Sequence, residues 1–268
     1  MLSVQPLNVP ADLRSLVDEI QWVTSKETDL RSFTTFGYPE ATSELLIIKS
    51  GGLTLSYRNN DYHVSESCCF TFIEEPSRVV VSKEFSFFRV VFKPLGVMPL
   101  VSLTGLSPEQ LILHPVIELS DFENTSLKST LAQALAISNK EQVEALIKLG
   151  LSNTFGQDES TLSSLWRYPL SSFSTDHLCD LLCCTPRTLQ RWFKNEMGIT
   201  PKYFLRLLRF KHTLQYLGAP SPDHPIAVAQ KLGYYDHNHL IKEVQNFTKT
   251  TPGKLSFDHY LPVQLPYL

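Results

Sequence analysis

The sequence predicts an α+β chain in two parts: an N-terminal antiparallel β-barrel or sandwich with a helical arm, and a C-terminal all-α domain. Three observations predict it. Short apolar or alternating runs recur about every 9 residues through the first hundred positions, with turn residues between them. After Pro99 the apolar residues recur at helical spacing. In the last third one helical pattern occurs twice, 51 residues apart. A chain of 268 residues has room for two ordinary domains, each with a core of its own.

The expected strands begin with Glu44–Lys49, closed by Ser50-Gly51-Gly52, and continue with the alternating run Leu53–Tyr57. Asn59-Asn60-Asp61 is turn chemistry. Cys69–Ile73, Arg78–Ser82 and Phe87–Phe92 follow. A helix near Ala11–Trp22 is expected to pack on these strands. Ser107-Pro108-Glu109 resembles a helix start, with proline at the first helical position. Phe122–Ile137 and Lys140–Leu149 carry helical spacing, with Gly150 placed as a C-cap. A short helix is expected at Asp158–Trp166. The boundaries expected are a β-rich part at 1–100, a helical arm at 101–168, a linker at 169–175 and the helical domain at 176–268.

In that domain Ser174 and Thr175 cap a helix from Asp176 to Cys183, and Cys184-Thr185 turns into a helix at Pro186–Glu196, ended by Gly198. Thr200-Pro201 starts a long helix to Leu217 with Phe204, Leu207, Leu208, Leu214 and Leu217 inward. Pro220, Pro222 and Pro225 break it, and Ile226–Leu232 and Gly233-Tyr234-Tyr235 lead to a last helix from His237. The repeat aligns Thr185 with Asp236, Leu189 with Leu240, Arg191 with Lys242, Phe193 with Val244, Asn195 with Asn246, and two Thr-Pro pairs. Each copy is a short helix, a turn and a second helix with a polar, basic outer face. Two such helices on one chain suggest that it reads two successive turns of a DNA groove.

Charge supports that reading. The net is −3, yet from Leu170 onward there are 11 Lys/Arg against 7 Asp/Glu, and 13 against 20 before it. A basic helical part joined to an acidic one fits a DNA binder with a separate sensing or assembly half. No apolar run approaches a membrane span, and Met1–Pro6 shows neither a basic nor an apolar leader region, so a cytoplasmic protein without membrane contact is expected. Five cysteines, an odd number, suit a reducing compartment. Cys179 and Cys183, a turn apart on one helix, could hold a metal or sense oxidant, but small buried side chains are the preferred reading.

Catalysis is not expected. Only His63 and His114 occur before Leu170, with no chelating pair, no phosphate loop and no nucleophile elbow. His237 and His239 lie two apart on a helix, so their side chains diverge. No cofactor and no metal are expected.

Residues Phe173 to Leu261 resemble the DNA-binding domain of AraC/XylS-type bacterial transcription regulators. The motif is Thr185-Pro186-Arg187, Leu189-Gln190-Arg191, Phe193-Lys194, Gly198 and Thr200-Pro201, then Arg209-Phe210 in the linker helix. The second half contributes Val228-Ala229, Gly233-Tyr234, Asp236, His239-Leu240-Ile241-Lys242, Phe247 and Thr251-Pro252. Three features depart from the family: Lys249 replaces a glycine, Val244 replaces an aromatic residue, and the prolines before Ile226 are irregular. The Lys249 change implies a frayed helix end or a different turn, Val244 a lighter core contact, and the three departures together a weaker second reader. Phe87–Gly96 followed by helices resembles a poorly characterised sensor domain of one AraC-type subgroup.

The resemblance implies a seven-helix domain whose second helix in each motif enters the major groove. The expected DNA-binding residues are Pro186, Arg187, Gln190, Arg191 and Lys194 on the first, and His237, Asn238, His239 and Lys242 on the second. Arg187 and Arg191 suit guanine, Gln190 and Asn238 adenine, while Lys194, Lys202 and Lys249 suit phosphates. Leu189, Phe193, Leu240 and Trp192 are expected in the core. The function expected is a sequence-specific transcription regulator whose N-terminal half senses a ligand or dimerises. Its partners would be double-stranded DNA, a small-molecule effector, a second copy of the chain and, for an activator, RNA polymerase. The alternative is a sensor or protein-interaction module whose degenerate second motif has lost specific DNA reading.

Overall fold

The computed structural model describes residues 2–25, 33–39, 42–71, 73–93, 97–155, 162, 165, 174–218 and 225–255. The strands are β1 (Leu2–Leu7), β2 (Val17–Ser25), β3 (Phe33–Gly37), β4 (Glu44–Ser50), β5 (Leu53–Tyr57), β6 (Asn60–Val64), β7 (Cys68–Phe70), β8 (Ser77–Val81), β9 (Ser86–Phe92) and β10 (Val116–Glu118). They form a six-stranded sheet in the order β1-β2-β9-β4-β7-β10 and a four-stranded sheet in the order β3-β8-β5-β6. Every strand pair among the described residues is antiparallel.

Strand alternation assigns the layers. In β4 and β9, Leu45, Ile47, Phe88 and Val90 face one core, while Leu46, Ile48 and Phe87 face another. Both faces of these central strands are covered, which is why Phe87–Phe92 reads as a nearly unbroken apolar run. The inner face packs on Leu53, Leu55 and Val81 of the small sheet, and the outer face carries helices. The adjacent cysteines are explained in the same way. Cys68 and Cys69 point to opposite cores, and burial pushes both thiols well above their ordinary range.

The helices are α1 (Val97–Thr104), α2 (Pro108–Leu113), α3 (Thr125–Ala136) and α4 (Lys140–Phe155), then α5 (Thr175–Leu181), α6 (Pro186–Met197), α7 (Pro201–Leu217), α8 (Pro225–Lys231) and α9 (His237–Thr248). Ser107 and Gln110 form a reciprocal capping box at the start of α2. Leu127 and Leu131 of α3 and Val143, Ile147 and Leu151 of α4 share the outer core with the six-stranded sheet. Lys49 at the end of β4 ties α3 to that sheet. Its Nζ donates to the carbonyls of Leu135 and Ile137 at 2.6 Å each, at the negative end of the helix.

Several expectations are corrected. The helix expected near Ala11–Trp22 is a single 3-10 turn at Ala11–Leu13 followed by β2, held between β1 and β9. Gly150 does not cap a helix but lies inside α4, where a Cβ would sit 2.9 Å from Thr130 and 3.1 Å from Leu127. It lets α3 and α4 approach closely. Strands β1, β3, β6 and β10 add to those read from the sequence. Five of the seven expected C-terminal helices are present among the described residues, with a 3-10 turn at Pro252–Lys254. The expected helix at 158–166 and linker at 169–175 fall almost wholly outside the described residues, as does the proline stretch 219–224.

Candidate nucleic-acid interface

The two motifs are built on one backbone plan. After α5, Cys183 takes φ +48°, the Cys184 N–H donates to the Cys179 carbonyl at 2.9 Å, and the Thr185 hydroxyl then caps α6 by accepting from Thr188 N–H at 3.2 Å. After α8, Gly233 takes φ +72°, the Tyr234 N–H donates to the Ala229 carbonyl at 2.9 Å, and the Asp236 carboxylate caps α9 by accepting from His239 N–H at 2.7 Å. Two residues separate Gly233 from its cap, against one in the first motif. The extra residue is Tyr235, 92% exposed directly ahead of α9.

The far ends also match. Gly198 closes α6 at φ +71°, its N–H donating to Lys194 O at 3.0 Å, and Lys249 closes α9 at φ +58°, its N–H donating to Gln245 O at 2.9 Å. Lys249 therefore adopts the turn of the glycine it replaces, and neither fraying nor a different turn is seen. The lighter Val244 remains fully buried, and Phe247 supplies a ring, 4.7 Å from that of Phe210.

Leu189, Phe193 and Leu240 are buried as expected, whereas Trp192 is only half-buried at the edge of the core. The opposite faces lie open. Pro186, Arg187, Gln190, Arg191 and Lys194 are exposed, as are Asn238, His239 and Lys242, and His237 is half-buried. Among the described residues Arg187 and Arg191 make no ion pair, so both guanidiniums can bind two acceptors at once.

Two of the expected contacts are already engaged within the chain. The His239 ring accepts from Tyr235 N–H at 3.2 Å through Nδ1 and packs edge-on against Tyr234, leaving Nε2 for a partner. Lys194 Nζ lies 3.5 Å from Glu109 at the start of α2. With both side chains about half exposed, that pair is worth under about 1 kcal/mol, so a phosphate can compete for the lysine. Cys183 is not on a helix with Cys179; it is exposed in the turn. No group of three or more His, Cys, Asp or Glu is placed to hold a metal among the described residues, and no described helix is long and apolar enough to cross a membrane.

The helix between the motifs, α7, has 17 residues and so spans about 25 Å. Helix α9 is fastened to it by a bidentate pair that the sequence pattern did not single out. Arg206 Nε and Nη2 donate to the Glu243 carboxylate at 2.7 and 2.9 Å, with Glu243 buried and the guanidinium over Phe247. Those hydrogen bonds hold the Arg206 pKa above its ordinary value. The sign of this clamp in the sequence is Glu243, a carboxylate three residues after Leu240 and four before Phe247, on the apolar side of the helix.

The helical domain is docked on the N-terminal part. Met197 and Gly198 bring the end of α6 against α1 and α2, where a Cβ on Gly198 would meet Ile112 at 2.8 Å and the Pro108 backbone at 3.0 Å. Between the two sheets lies a cavity of about 80 Å³, walled by Leu46, Leu53, Leu55, Val79, Val81 and Phe87. Tyr38, Thr42, Thr71 and Ser77 complete it with Arg89 and Glu44, which bind each other bidentately.

Residues 178–256 match the family described as "Helix-turn-helix domain". No curated protein matches the chain. Among solved structures, ToxT from Vibrio cholerae is similar at 12% identity over 88% of this chain and 97% of that one, with a TM-score of 0.45. The unsaturated-fatty-acid-bound ToxT of V. cholerae strain SCE256 is similar at 12% identity over 92% and 95%, with a TM-score of 0.44. A cupin-type domain of a transcriptional regulator from Enterobacter cloacae is similar at 11% identity over 35% and 97%, with a TM-score of 0.27. With the duplicated turn, caps and open basic faces, the family match makes residues 178–256 a helix-turn-helix domain.

Proposed function

We propose that the chain is a sequence-specific regulator whose helices α6 and α9 enter successive major grooves of one DNA face, under the control of a ligand in the N-terminal β-sandwich. The observation that carries this reading is the pairing of two equivalent, open polar faces on a single rigid helix about 25 Å long. Together with the reader helices at its ends, that rod approaches the roughly 34 Å of one DNA turn. Arg187, Gln190, Arg191 and Asn238 would read bases, while Lys194, Lys202, Lys242 and Lys249 would meet phosphates, and Pro186, His237 and His239 would line the same faces. Tyr235 joins this set, because a fully presented hydroxyl ahead of a reader helix suits a phosphate oxygen. The cavity between the sheets favours ligand sensing over a purely structural N-terminal half.

The test is selection of bound sequences from a random duplex pool by the full chain, repeated with Arg187→Ala and with Asn238→Ala. Two half-sites about one turn apart, each relaxed by one of the substitutions, are expected. Binding without sequence preference, weakened equally on all duplexes, would support the alternative of a sensor or interaction module with a degenerate second motif.

A further inference from the structure

Tyr38 belongs to both halves of the molecule. It lines the cavity between the two sheets, and it also packs against the core of the helical domain, its ring edge-on to Phe210 with centroids 6.5 Å apart. Phe210, fully buried on α7, lies 4.7 Å from the ring of Phe247, which is buried on the second reader helix. Two ring contacts thus join the cavity wall to α9. In close-packed surroundings a displaced ring moves its neighbours.

The cavity lining also specifies what can enter. Its walls are apolar, and its one cation and one anion neutralise each other: Arg89 Nε donates to Glu44 at 2.7 Å and its Nη2 to the other carboxylate oxygen, with Gln21 on Nη1. A charged ligand would have to break that buried pair, at a cost a neutral one avoids. Two hydroxyls in the lining already donate, Thr71 to the His114 carbonyl at 2.7 Å and Ser77 to the Gly37 carbonyl at 3.5 Å. What they retain is acceptor capacity. On the scale where one water needs roughly 10–15 Å³, a space of about 80 Å³ holds a slender molecule of a few heavy atoms.

We infer that the cavity takes a small, uncharged, mainly apolar molecule with one hydrogen-bond-donating end, and that Tyr38 passes its occupancy through Phe210 and Phe247 to the second reader helix. This rests on the reading of the chain as a DNA-binding regulator. The probe is 1-hexanol, with hexanoate and 1-methoxypentane as the charged and donor-free counterparts. Binding to the full chain is followed by the thermal unfolding midpoint, and DNA affinity by fluorescence anisotropy on a selected duplex.

The expected result is a rise in midpoint with 1-hexanol, larger than with either counterpart, and a change in DNA affinity of about fivefold or more. Tyr38→Phe should keep that change, because the ring remains. Tyr38→Ala, and independently Phe210→Leu, should reduce it below about twofold while the Phe210→Leu protein still binds 1-hexanol. A chain that binds 1-hexanol and DNA with no effect of one on the other overturns the transmission. Equal response to all three probes, or to none, overturns the ligand assignment. A chain that binds 1-hexanol but no duplex in either state overturns the regulator reading and the inference with it, and the retained probe binding tells that failure apart.

Discussion

Lys249 stands at φ +58°, a conformation that costs a side chain about 1–2 kcal/mol relative to glycine. It is exposed and ends α9 as Gly198 ends α6. Lys249→Gly is therefore expected to stabilise the protein by about 1 kcal/mol in urea unfolding, while weakening DNA binding if the ammonium meets a phosphate. On the reading face, Arg187→Ala and Arg191→Ala should each remove about 1–3 kcal/mol of discrimination at one base pair, measured on a panel of single-substitution duplexes. A uniform loss across the panel would make them backbone contacts. His212, half-buried on α7, has its pKa lowered by burial and then by Lys211. The unfolded chain then takes up the proton first, so stability is highest above about pH 6.5 and declines as pH falls through the window below it. His212→Gln should flatten that decline in denaturation series between pH 7.5 and 5.

At the level of the element, α9 is held by its buried Leu240, Val244 and Phe247 and, beside them, by the Arg206–Glu243 clamp. Removing one partner of a fully buried pair costs 3–5 kcal/mol, but Arg206 is about a third exposed, so Glu243→Gln is expected to cost about 2 kcal/mol. Hydrogen exchange should show the loss concentrated in α9, and equal loosening of α6 would contradict the assignment. Elements whose limits are written in local chemistry were readable from the sequence: Thr185, Gly198, Thr200 and Asp236 mark helix ends within a residue or two of those observed. The strand β2 was not. Leu13, Val17 and Ile20 fall at helical spacing, yet only Leu13 lies in a helical turn; from Val17 the chain is extended because β1 and β9 pair with it on both sides, and a bulge at Val17–Glu19 shifts the alternation. Pairing with partners 13 to 75 residues away overrides a local period.

Over the whole molecule, the duplicated motif and the two-part layout were legible, because caps, glycines and charge are local properties of the chain. The cavity and the docking of α6 were not. The cavity is assembled from alternate residues of several strands, and Pro108 and Ile112 look like any first and last turn of a helix. The dock has its own expected outcome. Gly198→Ala combines a left-handed φ with a Cβ driven into Ile112 and the Pro108 backbone, so it should cost about 2 kcal/mol or more and raise the radius of gyration in solution scattering. A destabilised but equally compact protein would show that α6 stays seated.

Seating α6 on α1 and α2 gives this molecule a fulcrum. With one end of the assembly braced, a small rotation of α7 swings α9 and leaves α6 where it is. On the function proposed above, such a swing would set the phasing of the two half-sites, so inserting or deleting a base pair between them is expected to change DNA affinity differently with and without ligand.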